Sequence, residues 1–137
     1  MSVFVDSSIW FAAVVVRDHD NARAKSILKR AVEIVTTDHV VAETWLLLNS
    51  RYHFRAAESF WEQVRTGAVR IEFATAADLE AAWAIGRAFP DQTFSLINRT
   101  SFAVMERLGL DRAASFDDDF AVYRYGRHRD RAFEVLR

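Results

Sequence analysis

Ser2-Val3-Phe4-Val5-Asp6-Ser7-Ser8 lies at the start of the chain and decides how the rest is read. The short apolar run ending at Val5 makes a strand, and strong helix N-cap residues follow it at once. Ile9 to Val16 then reads as helix, so the chain begins with a strand feeding a helix, the first half of an α/β unit. The same alternation returns further out. Asn21 to Val32 has helical spacing at Ala24, Ile27, Leu28 and Ala31, and Ile34-Val35-Thr36 is a second, β-branched run. Thr37 and Asp38 cap a helix over about His39 to His53, and another amphipathic helix from Ala56 to about Arg65 is stopped by Gly67. Val69 to Phe73 is a third strand. Thr75 caps a helix reaching about Ala88, and Pro90 ends it in a loop, Asp91 to Phe94. Ser95 starts a helix that closes at Gly109. Arg112 to Phe116 is a fourth strand running into Asp117-Asp118-Asp119, and Ala132 to Leu136 is the candidate for a fifth. Strands separated by helices require parallel pairing and right-handed crossovers. The expectation is an α/β fold, a three-layer α/β/α sandwich around a central, mainly parallel sheet, formed as one domain over residues 1–137.

Composition narrows the function classes. With 137 residues, 51% hydrophobic and 27% charged, the chain excludes disordered and collagen-like classes. Such a length buries about two-thirds of its unfolded surface, enough for one core without covalent staples. There is no Cys, which excludes disulfides, thiolate nucleophiles and Cys-ligated zinc and agrees with a cytoplasmic location. The N-terminus has no basic leader, and Ile9 to Val16 falls far short of the ~20 residues a membrane span needs, so neither export nor anchoring is expected. The net charge of −1 gives no global footprint for a polyanion. Sixteen of the 18 basic residues are Arg. Arg124, Arg127, Arg129 and Arg131 fall close together, where they either meet phosphates or form a solvated face.

Carboxylates carry the chemical signal. In open parallel sheets, sites form outside the carboxyl ends of the strands, and two strands here end in Asp6 and Asp117. Each also reads as a helix N-cap. Glu43 sits inside Val40-Val41-Ala42-Glu43-Thr44-Trp45-Leu46-Leu47-Leu48, where an unpaired buried charge is costly. It either pairs with His39 one turn earlier, faces solvent, or ligates a metal. Ser95-Leu96-Ile97-Asn98 has capping-box spacing without the acid or Gln that bonds back, which leaves Asn98 without an explanation. Asp91 reads as a solvated loop acid. Carboxylates converging without His or Cys describe a hard-cation site for Mg²⁺ or Mn²⁺. The four His are scattered without a zinc spacing, and no Gly-rich phosphate loop or Gly-x-Ser-x-Gly elbow is present. A receiver-like or phosphatase domain built on Asp6 lacks its second acid, because Ser8 occupies that place.

The pattern resembles the PIN-domain family, and within it the bacterial toxins of the VapBC toxin–antitoxin type. The resemblance spans nearly the whole chain. It is carried by Val3-Phe4-Val5-Asp6-Ser7-Ser8, by Glu43, by Phe94-Ser95-Leu96-Ile97-Asn98 with Thr100-Ser101-Phe102-Ala103-Val104-Met105, and by Ser115-Phe116-Asp117 followed by Phe120. It implies an endoribonuclease dependent on Mg²⁺ or Mn²⁺, with an acidic quartet as catalytic and metal-binding site. Asp6, Glu43 and Asp117 match that quartet, and Asn98 stands where the family usually has Asp. The resemblance further implies attack of activated water on an RNA phosphodiester, Ser7 and Ser95 supporting the ligands, and Asp91, Asp118 and Asp119 acting through water. It implies a cognate antitoxin, an RNA substrate and a homodimer as partners. The alternative is a module impaired by Asn98 that binds antitoxin or RNA without efficient cleavage. Dimerisation and antitoxin binding are expected on the apolar helical surface around Trp45, Phe54, Phe60 and Trp61.

Overall fold

The computed structural model describes residues 2–137. Five strands, β1 (Ser2–Val5), β2 (Glu33–Thr37), β3 (Val69–Glu72), β4 (Arg112–Ala114) and β5 (Glu134–Leu136), form one sheet in the order β3-β2-β1-β4-β5. Every pairing is parallel, with Val3 opposite Ile34 on one side of β1 and Val5 opposite Ala114 on the other. Seven helices among the described residues join them: α1 (Ser7–Val14), α2 (Asn21–Arg30), α3 (Asp38–Arg51), α4 (Phe54–Thr66), α5 (Ala76–Ala88), α6 (Leu96–Leu108) and α7 (Asp119–Val122). The α/β sandwich read from the sequence is therefore the fold.

Strand order places the site. The chain builds outward from β1 through β2 to β3, then crosses back and builds through β4 to β5 on the other side. The reversal falls between β1 and β4, the topological switch point at whose carboxyl edge open parallel sheets bind their ligands. Asp6 leaves β1 and Asp117 follows β4 at that edge, and the Asp6 backbone N–H donates to the Ala114 carbonyl at 3.0 Å. Val3, Phe4 and Val5 are fully buried, as expected of a central strand covered on both faces.

Packing then fixes the helices. Phe102 of α6 stacks on Tyr123 with centroids 4.3 Å apart, and Phe120 of α7 packs edge-on to Phe102 and stacks on Phe4 of β1. This aromatic cluster locks α6, α7 and β1 together beneath the site. Tyr123 donates its hydroxyl to Glu106 at 2.7 Å, and burial is the first cause that holds its phenol well above the usual range. Caps set the helix ends. Thr37 and Thr75 cap α3 and α5, the Thr75 N–H donating in return to the Asp78 carboxylate, and α6 ends at Gly109 in the left-handed conformation that favours glycine.

Most element boundaries differ from the sequence reading by one or two residues, and two of the differences bear on the site. Helix α1 begins at Ser7 rather than Ile9, and β4 ends at Ala114: the Ser115 N–H makes one more bond to the Leu136 carbonyl at 3.1 Å while its hydroxyl turns to Asp6, and Phe116 turns into the site. Helix α7, only four residues long, has no counterpart in the sequence pattern. The C-terminal arginines serve local packing. Arg124 donates to the carbonyls that end α7, Arg129 lies over Phe89, and Arg131 lies over Tyr125. No described helix is long and apolar enough to cross a membrane.

Candidate active site

Asp6, Glu43, Asn98 and Asp117 line one cleft of about 370 Å³ at the carboxyl edge of the sheet. Each arrives from a different element: the end of β1, the second turn of α3, the first turn of α6 and the turn after β4. Asp6 occupies the N-cap position of α1, yet its side chain makes no cap bond. Its carboxylate accepts hydrogen bonds from Ser115 at 2.8 Å and Ser8 at 2.9 Å instead. The two serines are themselves oriented, Ser8 accepting from the Phe116 N–H and Ser115 from the Asp117 N–H. Asp117 is not the N-cap of α7, a place taken by Asp118, but its Oδ1 accepts from the Asp119 N–H at 2.9 Å in the turn before that helix.

Glu43 accepts from the Ser7 hydroxyl at 2.5 Å. Of the three alternatives open for Glu43, pairing with His39 is not the one formed, because His39 turns to Thr100 of α6 at 3.2 Å. Helical spacing makes His39 and Glu43 neighbours, but α6 packs against α3 and captures the imidazole. Ser95 caps α6 through the Asn98 N–H without a reciprocal bond. The Asn98 side chain is free to do something else: its Nδ2 donates to Asp117 at 2.9 Å and to Asp119 at 3.3 Å. Asp118 lies outside the cluster, largely exposed and paired with Arg137, and Asp91 is exposed away from the cleft.

The three carboxylates of the cleft are held by neutral donors and, among the described residues, by no ion pair. Burial pushes the Asp6 carboxyl above its ordinary value despite the serine hydrogen bonds that favour its charge. Burial also raises Glu43, and the negative charges of Asp6 and Asp117 raise it further. Asp119 is raised by burial and then by Asp117. Among the described residues no arginine, lysine or histidine bonds to Asp6, Glu43 or Asp117. The donor set is oxygen throughout, carboxylates plus the Asn98 amide, as Mg²⁺ or Mn²⁺ requires. As arranged, no three described His, Cys, Asp or Glu side chains stand close enough to hold an ion together. Ser7 reaches both Asp6 and Glu43, and Asn98 bridges Asp117 and Asp119, so hydrogen bonds hold the acids in two pairs.

Sequence reasoning missed several residues here. The sequence assigns no role to Ser115, whose hydroxyl holds the Asp6 carboxylate at 2.8 Å. Arg51 and Asp18 also line the cleft and carry no sequence signal that sets them apart, and Phe116 lines it from within the Ser115-Phe116-Asp117 segment.

An α/β sandwich with acids gathered at the switch point of a parallel sheet defines a known class, and the chain belongs to the PIN-domain family, whose model matches residues 3–124. Among individual proteins it is similar to the 23S rRNA-specific endonuclease VapC20 of Mycobacterium tuberculosis, 36% identical over 121 residues that cover 88% of this chain and 92% of the relative. The crystal structure of that VapC20, described as a sarcin-ricin loop cleaving toxin, superposes with a TM-score of 0.84 over 88% of this chain and 93% of the other. FitAcB from Neisseria gonorrhoeae, 14% identical with a TM-score of 0.63 over 100% and 97% of the two chains, shares the fold. So does VapBC2 from Rickettsia felis, at 12% identity and a TM-score of 0.59 over 88% and 91%.

Proposed function

We propose that the chain is an endoribonuclease dependent on Mg²⁺ or Mn²⁺ and acts as the toxin of a toxin–antitoxin pair, in the cytoplasm where its RNA substrate lies. The observation that carries this reading is the convergence of three carboxylates and one amide in a single cleft, with no cationic side chain bonded to the three carboxylates. The likeness to VapC20 supports RNA as the substrate class. Asp6, Glu43 and Asp117 would hold the cation, with Asn98 offering its carbonyl oxygen. When bound, such a cation neutralises phosphate charge and activates water for attack on the phosphodiester. Ser8 and Ser115 fix the Asp6 carboxylate, and Ser7 fixes Glu43. Incubating RNA with the chain in Mg²⁺, Mn²⁺ or EDTA tests the reading. Cleavage with the metals and none in EDTA supports it, and equal cleavage in EDTA refutes it.

A second reading has its own observation. The Asn98 amide nitrogen, a donor, faces Asp117 and Asp119, and so satisfies acids that a fourth carboxylate would leave in need of a cation. This favours a module that binds antitoxin or RNA with weakened cleavage. The antitoxin would use the apolar groove of about 620 Å³ lined by Trp45, Leu46, Trp61 and Phe73, and a homodimer would use a neighbouring helical face. Phe60 takes no part, being buried against Trp10, whereas Phe54 is exposed and packs edge-on to Trp45.

A further inference from the structure

Trp83 and Arg99 frame a second cavity, of about 420 Å³, between the C-terminal half of α5 and the loop that leads into α6. Phe94 and Arg99 line it, while Ser95 and Asn98 line the acidic cleft, so the first turn of α6 is a wall common to both. Nothing in the acidic cleft uses these side chains.

The Arg99 guanidinium is seated without a counter-charge. Its Nε is buried with no hydrogen-bond partner, and Nη1 reaches only the Ala82 carbonyl at 3.4 Å. Among the described residues neither Arg99 nor the neighbouring Arg87 joins a salt bridge. A buried donor left unmade is costly unless something supplies an acceptor. Helix α5 is shaped around this arginine. A Cβ at Gly86 would collide with Nη1, and glycine inside a helix is otherwise less stable than alanine. On the rim, Trp83 is 64% exposed and Arg87 is exposed. Two unpaired guanidiniums beside an exposed indole match a phosphate and a planar base. A carboxylate ligand would satisfy the arginines but leave the indole without a stacking partner.

We propose that this cavity binds one nucleotide of single-stranded RNA beside the acidic cleft, its phosphate on Arg99 and Arg87 and its base stacked on Trp83. The proposal rests on the ribonuclease reading and answers a need of it, since the acids of the cleft repel the backbone and an adjoining cationic subsite holds it.

Anisotropy of a short fluorescein-labelled single-stranded RNA, titrated with the full chain in EDTA, tests this without cleavage. Trp83→Ala is expected to weaken binding about tenfold with the salt dependence unchanged, as for loss of one stacked base. Arg87→Ala is expected to weaken binding and to reduce the slope of log K against log salt by about 0.7, the release accompanying one phosphate contact on a single strand. Gly86→Ala is expected to displace Arg99 and do the same. If Gly86→Ala does not fold, the two exposed positions decide. Wild-type affinity and slope in the Trp83 and Arg87 variants overturn the proposal, and the ribonuclease reading survives if the parent still binds and cleaves RNA. A parent that neither binds nor cleaves RNA overturns both. Displacement of the RNA by polyglutamate as readily as by polyuridylate makes the cavity a carboxylate site and also overturns the proposal.

Discussion

Asn98 donates its side-chain amide to Asp117 at 2.9 Å, across the mouth of the acidic cleft, and reaches Asp119 at 3.3 Å with the same nitrogen. A carboxylate at position 98 turns both contacts into repulsions. Asn98→Asp is expected to destabilise the cation-free chain by about 1–3 kcal/mol. It is also expected to strengthen Mg²⁺ or Mn²⁺ binding about 10- to 100-fold or more, since even supporting groups around a metal contribute that much. Thermal melts with and without the metal measure both effects. Identical midpoints for the two versions under both conditions would refute the bridging role of Asn98.

Ser115 is fully buried and ties Asp6 to the turn after β4. Ser115→Ala removes a donor to the Asp6 carboxylate and an acceptor for the Asp117 N–H. A loss of about 1–3 kcal/mol is expected from denaturant unfolding, with RNA cleavage falling more than stability because Asp6 loses its orientation. Unchanged cleavage would show that Ser8 alone orients the acid.

The Arg107 side chain forks onto Asp78, with contacts of 3.0 Å from both Nε and Nη2, and bonds Glu72 at 3.1 Å, joining α6 to α5 and β3 far from the cleft. Burial alone would raise the Asp78 carboxyl, but hydrogen bonds from Arg107 and Thr75 hold it below the ordinary value of 3.8. A depressed folded pKa gives stability that is present above the unfolded value and lost as pH falls through the folded one. Asp78→Asn is therefore expected to cost about 1–2 kcal/mol at neutral pH and little at the acid end of that window. Denaturation curves of the two proteins at neutral pH and below pH ~3 check this. A constant difference would place the effect in packing rather than charge.

Phe102 is fully buried at the centre of the aromatic cluster that positions α6. Phe102→Ala is expected to cost about 3–5 kcal/mol in denaturant unfolding. A cost below 1 kcal/mol would mean that α6, and Asn98 with it, is held by other contacts.

The sheet was legible because strong punctuation sets its inner strands off: Asp6 after β1, Thr37 ending β2 and capping α3, Gly109 closing α6 before β4. Local chemistry decides such features. Asp6, Glu43 and Asp117 were legible because each is an acid where an apolar or strand-end context makes one expensive. What the sequence hid depends on which neighbour wins. His39 has equal access along α3 to Glu43 and across to Thr100, and only the packing of α6 chooses. Helix α7 is too short to show a period. The Arg99 cavity depends on Gly86 thirteen residues earlier, and nothing in either residue alone announces the pair.

Calorimetric titration of Mn²⁺ into the chain and into its Asp6→Asn and Glu43→Gln variants tests most directly whether the cleft is one cation site. The expected result is saturable binding by the parent chain, weakened at least tenfold in each variant while thermal melts show both still folded. Binding of equal affinity in the parent and both variants would contradict the account.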